Sequence, residues 1–282
     1  QSVSQSVILN NHYYYQYHII PPKKNSLVWI LLILFLLANH CSSIQQPLPA
    51  RQSASSATSK MATIDNPKPH VIPEGKNATP LEVVGATASD KLIIIMVGLP
   101  GCGKTFVSKR ICRYISFFHH IPSQIFNVGD YRRELCGSQL PASFFDPNNA
   151  DGLEKRHKAC EAATADLVTY MKQDGVRLAI YDATNNLQEN RAKILRRLKE
   201  ENIGAKILFL EAIVDDKVML EENIRTVKLS TPDYKGVDSD QALKDFMKRR
   251  ENYAGGYTSV QDCEGSYVRV INYKKFEIHN VR

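Results

Sequence analysis

Lys104 and Thr105 close the stretch Gly98-Leu99-Pro100-Gly101-Cys102-Gly103-Lys104-Thr105, which fills every fixed position of the pattern G-x-x-x-x-G-K-[ST]. That spacing serves the grip of a nucleotide phosphate. Glycines let the backbone curl until successive N–H groups aim at one anion, and Lys104 and Thr105 open a helix whose positive end adds to the field. A glycine-rich strand-to-helix turn with a solvated lysine looks the same in isolation, so the surrounding elements have to decide.

A second candidate is Asp182, which ends the apolar run Arg177-Leu178-Ala179-Ile180-Tyr181. A carboxylate at the end of a buried strand beside a phosphate loop could take the proton of an attacking hydroxyl or hold the Mg²⁺ of the nucleotide. Its bland counterpart is an Asp that caps the next helix. In Phe126-Asn127-Val128-Gly129-Asp130-Tyr131-Arg132-Arg133-Glu134 the same logic puts Asp130, Arg132 and Arg133 at a strand's carboxyl end, where arginine clamps phosphate bidentately. Periodicity alone makes Glu154-Lys155-Arg156-His157-Lys158 and Phe246-Met247-Lys248-Arg249-Arg250-Glu251 outer helix faces.

The elements that must position these residues are legible from hydrophobic patterning. Lys91 to Val97 is an uninterrupted apolar run entering the loop, as a strand buried on both faces requires. From Lys104 to Phe118, Val107, Ile111, Tyr114, Ile115 and Phe118 recur at helical spacing. Strand-like runs follow at Ser123 to Val128, Arg177 to Tyr181, Ala205 to Leu210 and Tyr267 to Tyr273, with helical patterns between them. This alternation predicts an α/β fold of the P-loop NTPase type, one parallel sheet with helices on both faces. Right-handed crossovers then gather the loop ends at the sheet's carboxyl edge, where such folds bind ligands.

The 282 residues are 43% hydrophobic, enough for a sizeable core. Lys23, Lys24, Arg51 and Lys60 are the only charged residues before Met61, so the formal net charge of +7 falls to about +3 for the remainder. Such a balance argues against a nucleic-acid groove and suits a small anion held by local cations. The six cysteines, Cys41, Cys102, Cys112, Cys136, Cys160 and Cys263, form no C-x-x-C pair or metal-ligand spacing and read as reduced thiols. Cys102 reads as a small side chain that fits the loop.

Residues 1–60 read as a leader or upstream-frame segment outside the fold. Leu27 to Ala38 is apolar behind Lys23-Lys24, the proportion of a signal-peptide core and too short for a spanning helix, yet no Met precedes Met61. Residues 61–90 are rich in Pro, Ala, Thr and Asn, include the sequon Asn77-Ala78-Thr79, and read as a flexible arm before a domain at 91–282.

From about Lys91 to Arg282 the chain resembles the kinase domain of the 6-phosphofructo-2-kinase/fructose-2,6-bisphosphatase family. The resemblance rests on the loop G-L-P-x-x-G-K-T, the string F-N-V-G-D-Y-R-R, D-A-T-N at Asp182 to Asn185, and Ser230-Thr231-Pro232-Asp233-Tyr234 followed by Asp245-Phe246-Met247-Lys248-Arg249. Members transfer the γ-phosphate of ATP to the 2-hydroxyl of fructose 6-phosphate, making the glycolytic regulator fructose 2,6-bisphosphate. The resemblance implies that Gly98, Leu99, Pro100, Gly101, Cys102, Gly103, Lys104, Thr105 and Phe106 hold ATP, with Lys104 on the β- and γ-phosphates and Thr105 on Mg²⁺. Asn223 and Lys228 add to that site, Asp182 is the catalytic carboxylate, and Arg132, Arg156, Thr184, Lys228, Arg249 and Tyr253 hold the sugar phosphate. It further implies a cytoplasmic enzyme using ATP and Mg²⁺, with no nucleic-acid or membrane partner and with a homodimer left open. No His is followed by Gly, so the R-H-G string of the phosphatase half is absent from this sequence.

Three positions depart from the resembling family. Gly101-Cys102 stands where members commonly have Ala-Arg. Asn190 replaces an arginine that contacts the sugar phosphate, and the neighbouring Arg191 is a candidate substitute. Val214 replaces a cysteine found among active-site residues in some members. Two other readings stay open at this point: a P-loop kinase for other small molecules or for polynucleotide 5′-hydroxyls, and a nucleotide- or sugar-phosphate-binding regulatory module without turnover.

Overall fold

The structure is a computed structural model that describes residues 91–280, except the side chain of Lys228. The leader at 1–60, with Leu27 to Ala38 and Cys41, and the arm at 61–90, with Asn77, lie outside the described residues.

Strand β1 (Leu92–Val97) is buried along its whole length. Its Ile93, Ile95 and Val97 belong to one apolar cluster, whereas Leu92, Ile94 and Met96 belong to another. A strand whose two faces both meet helices needs this continuous apolar sequence rather than an alternating one. Helix α1 (Lys104–His119) covers one face with Ile111 and Ile115, and α3 (Ala150–Met171) and α4 (Gln188–Glu200) cover the other with Ala163, Leu167, Met171 and Leu198.

β1 pairs in parallel with β3 (Leu178–Asp182) on one side and β4 (Lys206–Ile213) on the other. The six-stranded sheet runs β2-β3-β1-β4-β5-β6, with β2 (Ser123–Asn127) beyond β3 and β5 (Ser266–Ile271) beyond β4. The chain order therefore reverses direction at β1, and the crevice at its carboxyl end receives the phosphate loop.

The final strand departs from the sequence expectation of a wholly parallel sheet. The run assigned to Tyr267 to Tyr273 stops at Ile271, where Asn272 (φ 49°) and Tyr273 (φ 56°) take left-handed conformations and turn the chain. The chain returns antiparallel as β6 (Lys275–His279). Two successive left-handed residues match the twist of a tight hairpin. Lys275, Glu277 and His279 alternate with Phe276 and Ile278, so the strand lacks the continuous apolar run of its buried neighbours.

Between β4 and β5 the chain builds a cap from α5 (Lys217–Asn223), a π-helical turn at Ile224–Lys228, a 3-10 turn at Pro232–Tyr234, and α6 (Ser239–Ala254). Leu220, Ile224, Tyr234, Ala242 and Phe246 of this cap pack on Cys102, Ala212 and Val214, so the cap rests on the loop through an apolar cluster of its own. No helix among the described residues is long and apolar enough to cross a membrane.

Candidate active site

The loop after β1 folds as its sequence demands. Gly98 (φ 139°) and Gly103 (φ 73°) sit where a side chain has no room: a Cβ would lie 2.3 Å from the Ala212 carbonyl oxygen at the first and 2.1 Å from the Tyr273 hydroxyl at the second. Helix α1 starts with no side-chain cap and no acidic residue in its first turn, so its positive end is left for an anion. Lys104 is 9% exposed, and its ammonium donates to the carbonyls of Gly98 (2.7 Å) and Leu99 (2.9 Å). These features suit a nucleotide phosphate.

Asp182 ends β3 with 3% of its surface exposed. Its Cα partner on β2 is Asn127, and the Asn127 amide donates to the Asp182 carboxylate (2.7 Å) and to the Thr105 hydroxyl (3.3 Å). The orientation of that amide is itself fixed, because Asn127 caps α2 (Val128–Cys136) by accepting from the Gly129 N–H at 2.9 Å. One side chain thus ties the candidate base to the threonine of the phosphate loop. The segment after β3 is held against the loop by two bonds: the Gly98 N–H donates to the Thr184 carbonyl at 3.0 Å, and the Asn185 side-chain amide donates to the Met96 carbonyl at 2.7 Å.

Across the same cavity, of about 1280 Å³, stand Arg132, Arg133, Arg156, Arg249, Thr184, Asn190 and Tyr253. Asp233, from the 3-10 turn of the cap, gathers three of these arginines. Arg132 donates to both its oxygens (2.9 and 2.7 Å), Arg133 approaches at 3.3 Å and Arg249 at 3.4 Å. Burial opposes the Asp233 charge, but the hydrogen bond from Arg132 and the charges of Arg132, Arg249 and Arg133 outweigh it and hold the carboxyl below its usual range. Arg249 and Arg132 also lie over the Phe145 ring, at 3.7 and 5.5 Å from its centroid. Arg132 Nη1 and Arg249 Nε are buried donors without a protein partner. A cluster with surplus positive charge and unmet donors is built for an anion. Arg156 is aimed from α3 by bonds to the carbonyls of Phe145 (2.9 Å), Gly152 (3.2 Å) and Asp146 (3.3 Å) and lies over the Tyr253 ring.

The structure brings most sequence-identified residues to this one cavity, including Lys104, Thr105, Phe106, Arg132, Arg156, Asp182, Thr184, Arg249 and Tyr253. Asn223 stands behind the loop, donating to the Gly101 carbonyl (3.3 Å) and the Tyr273 hydroxyl (3.0 Å). The Lys228 side chain lies outside the described set. Arg249 and Arg250 turn inward, against the outer face that periodicity assigned to their helix, because the cap folds α6 back over the loop. Arg191 does not substitute for an arginine at Asn190. It is fully buried, bonded to Glu264 (2.7 and 2.8 Å), Asn185 (3.0 Å) and Thr258 (2.9 Å), while Asn190 itself lines the cavity. Val214 is buried beside Cys102 in the apolar cluster under the cap, where an ionised group would have no solvent. Asn127, Phe145 and Asp233 are site residues that the sequence reading gave no role.

Strand, glycine loop, uncapped helix and a carboxylate on the neighbouring strand define a P-loop phosphate-binding α/β domain. Residues 82–282 match the family model described as 6-phosphofructo-2-kinase, and the chain belongs to that family. It is 37% identical over 195 residues to 6-phosphofructo-2-kinase/fructose-2,6-bisphosphatase 3 of Rattus norvegicus, covering 67% of this chain and 35% of that protein. It is 38% identical over 200 residues to 6-phosphofructo-2-kinase/fructose-2,6-bisphosphatase of Caenorhabditis elegans, covering 67% and 43%. The chain thus matches less than half the length of these relatives. Among solved structures, Mycobacterium tuberculosis APS kinase in complex with AMPPNP and APS aligns over 66% of this chain and 91% of that one, at 12% identity and a TM-score of 0.41.

Proposed function

We propose that this chain is an ATP-dependent kinase that phosphorylates the 2-hydroxyl of fructose 6-phosphate. The observation that carries the reading is Asn127, which holds the Asp182 carboxylate against Thr105 of the phosphate loop on one wall of a cavity whose other wall is an arginine cluster. Arg132, Arg156 and Arg249 bind the 6-phosphate, and Thr184 and Tyr253 line the sugar's position, so the 2-hydroxyl is presented to the loop. The hydroxyl oxygen forms a bond to the γ-phosphorus as the bond from that phosphorus to the ADP oxygen breaks, and the hydroxyl proton passes to Asp182. Lys104 neutralises charge on the transferring group, as a preorganised cation does without reorganisation. Mg²⁺, held at the Thr105 hydroxyl, supplies further charge neutralisation on the nucleotide. The product makes the chain a source of a glycolytic regulator. All five described cysteines are free, in keeping with the reducing cytoplasm.

Incubating the purified protein with MgATP and fructose 6-phosphate is expected to yield an acid-labile 2-phosphate. Intact nucleotide binding without that product, in a preparation whose Lys104→Ala variant behaves identically, refutes the reading.

A further inference from the structure

Every carbonyl from Gly98 to Gly101 is met by a side chain. Lys104 takes those of Gly98 and Leu99, Asn223 takes that of Gly101, and the guanidinium of Arg250 takes that of Pro100. Arg250 reaches the loop from α6, and its fork makes two more contacts, with the Cys102 sulfur at 3.3 Å and, through its other terminal nitrogen, with the Val214 carbonyl at 3.4 Å. It thereby ties the loop's midpoint to the residue that follows β4. Resting on the functional reading above, we propose that Arg250 is a positioning residue for the nucleotide: it sets the direction of the Gly101 N–H by holding the Pro100 carbonyl away from it.

The argument is geometric. In a trans peptide the carbonyl and the following N–H point in opposite directions, so pinning the Pro100 oxygen fixes the Gly101 amide. A loop containing Gly98, Gly101 and Gly103, all at positive φ, has little conformational bias of its own and needs such external anchors. Arg250 has the planar fork that three acceptors in different directions require, which an ammonium matches poorly. Its neighbour Arg249 faces the other way, to Asp233 and Phe145. Consecutive residues of α6 therefore serve the nucleotide and the acceptor separately.

The test is calorimetric titration of MgADP, with no sugar present, into the wild-type protein and the Arg250→Met and Arg250→Lys variants, followed by steady-state kinetics. Loss of a charge-assisted bond to the loop predicts about tenfold weaker MgADP binding for Arg250→Met. Arg250→Lys should recover part of it, and the KM for fructose 6-phosphate should stay near wild type in both. Unchanged MgADP affinity in Arg250→Met overturns the proposal. So does an equal rise in both substrate KM values together with a lowered Tm, which marks a packing role alone. Should Arg250→Met fail to fold, wild-type MgADP affinity in Arg250→Lys overturns it equally. A protein that binds MgADP in an Arg250-dependent way and yet makes no 2-phosphate disproves only the assigned substrate.

Discussion

Asn127 does three jobs from one position: it ends β2, caps α2 through its side-chain Oδ1, and donates its amide N–H groups to Asp182 and Thr105. Because the cap fixes which end of the amide faces the site, Asn127→Ala removes a well-aimed donor from the Asp182 carboxylate and loosens its placement. Misplacing a catalytic group by about 1 Å costs on the order of 10²-fold. We expect kcat to fall by that order, with a smaller rise in KM for fructose 6-phosphate because the lost cap belongs to the helix that carries Arg132 and Arg133. Asn127→Asp should not restore it, since a second carboxylate beside Asp182 repels the first. A wild-type kcat in Asn127→Ala sinks this role. The contrast with Lys104, Thr105 and Asp182 shows what a sequence makes visible: those residues occupy pattern positions or end apolar runs. The work of Asn127 depends on its register opposite Asp182, far away in the chain. Phe145, in an apolar pair, carries no signal, and Asp233 stands out only as part of the string Ser230-Thr231-Pro232-Asp233-Tyr234; the folded cap shows the first to be an arginine platform and the second an arginine anchor.

At the scale of elements, the phosphate loop leans on the β5–β6 turn. The Tyr273 ring occupies the space beside Gly103, and its hydroxyl meets Asn223. Gly103→Ala therefore meets two separate penalties, a clash with Tyr273 and a left-handed backbone carrying a Cβ. The second costs about 1–2 kcal/mol wherever it occurs. Adding Tyr273→Ala to Gly103→Ala should remove the clash and leave that backbone cost. In denaturant titrations the double variant should lose less stability than the two single variants summed, whereas strict additivity would show that ring and loop do not press on each other. The strands were readable because β1 is apolar throughout and β3 and β4 carry unbroken apolar runs where they sit between helices. β6 was not, because this edge strand interleaves Lys275, Glu277 and His279 with Phe276 and Ile278 and shows no apolar run. The cap escaped for a related reason: α5, the π-helical turn and the 3-10 turn are too short to show a period.

At the scale of the whole molecule, Asp233 is a polar tie between sheet and cap across the cavity. It comes from the cap, while Arg132 and Arg133 come from the α2 end of the sheet. Its side chain is 9% exposed and that of Arg132 is 4% exposed, so removing the carboxylate leaves buried positive charge uncompensated. Loss of one partner from a buried pair costs about 3–5 kcal/mol, and an Asn that still accepts a hydrogen bond should fall at or below the lower end. The pH dependence follows in sign from the depressed pKa. A carboxylate whose folded pKa lies below its ordinary 3.8 contributes stability that is fully present above that value. The contribution drains away as pH falls from there through the folded value, because the unfolded chain takes up the proton first. Urea unfolding of wild type and Asp233→Asn should therefore differ by about 3 kcal/mol at neutral pH and above pH 5, and converge as the solution is acidified below pH 4. A gap that persists unchanged to pH 3 shows that Asp233 joins cap to sheet by shape and not by charge.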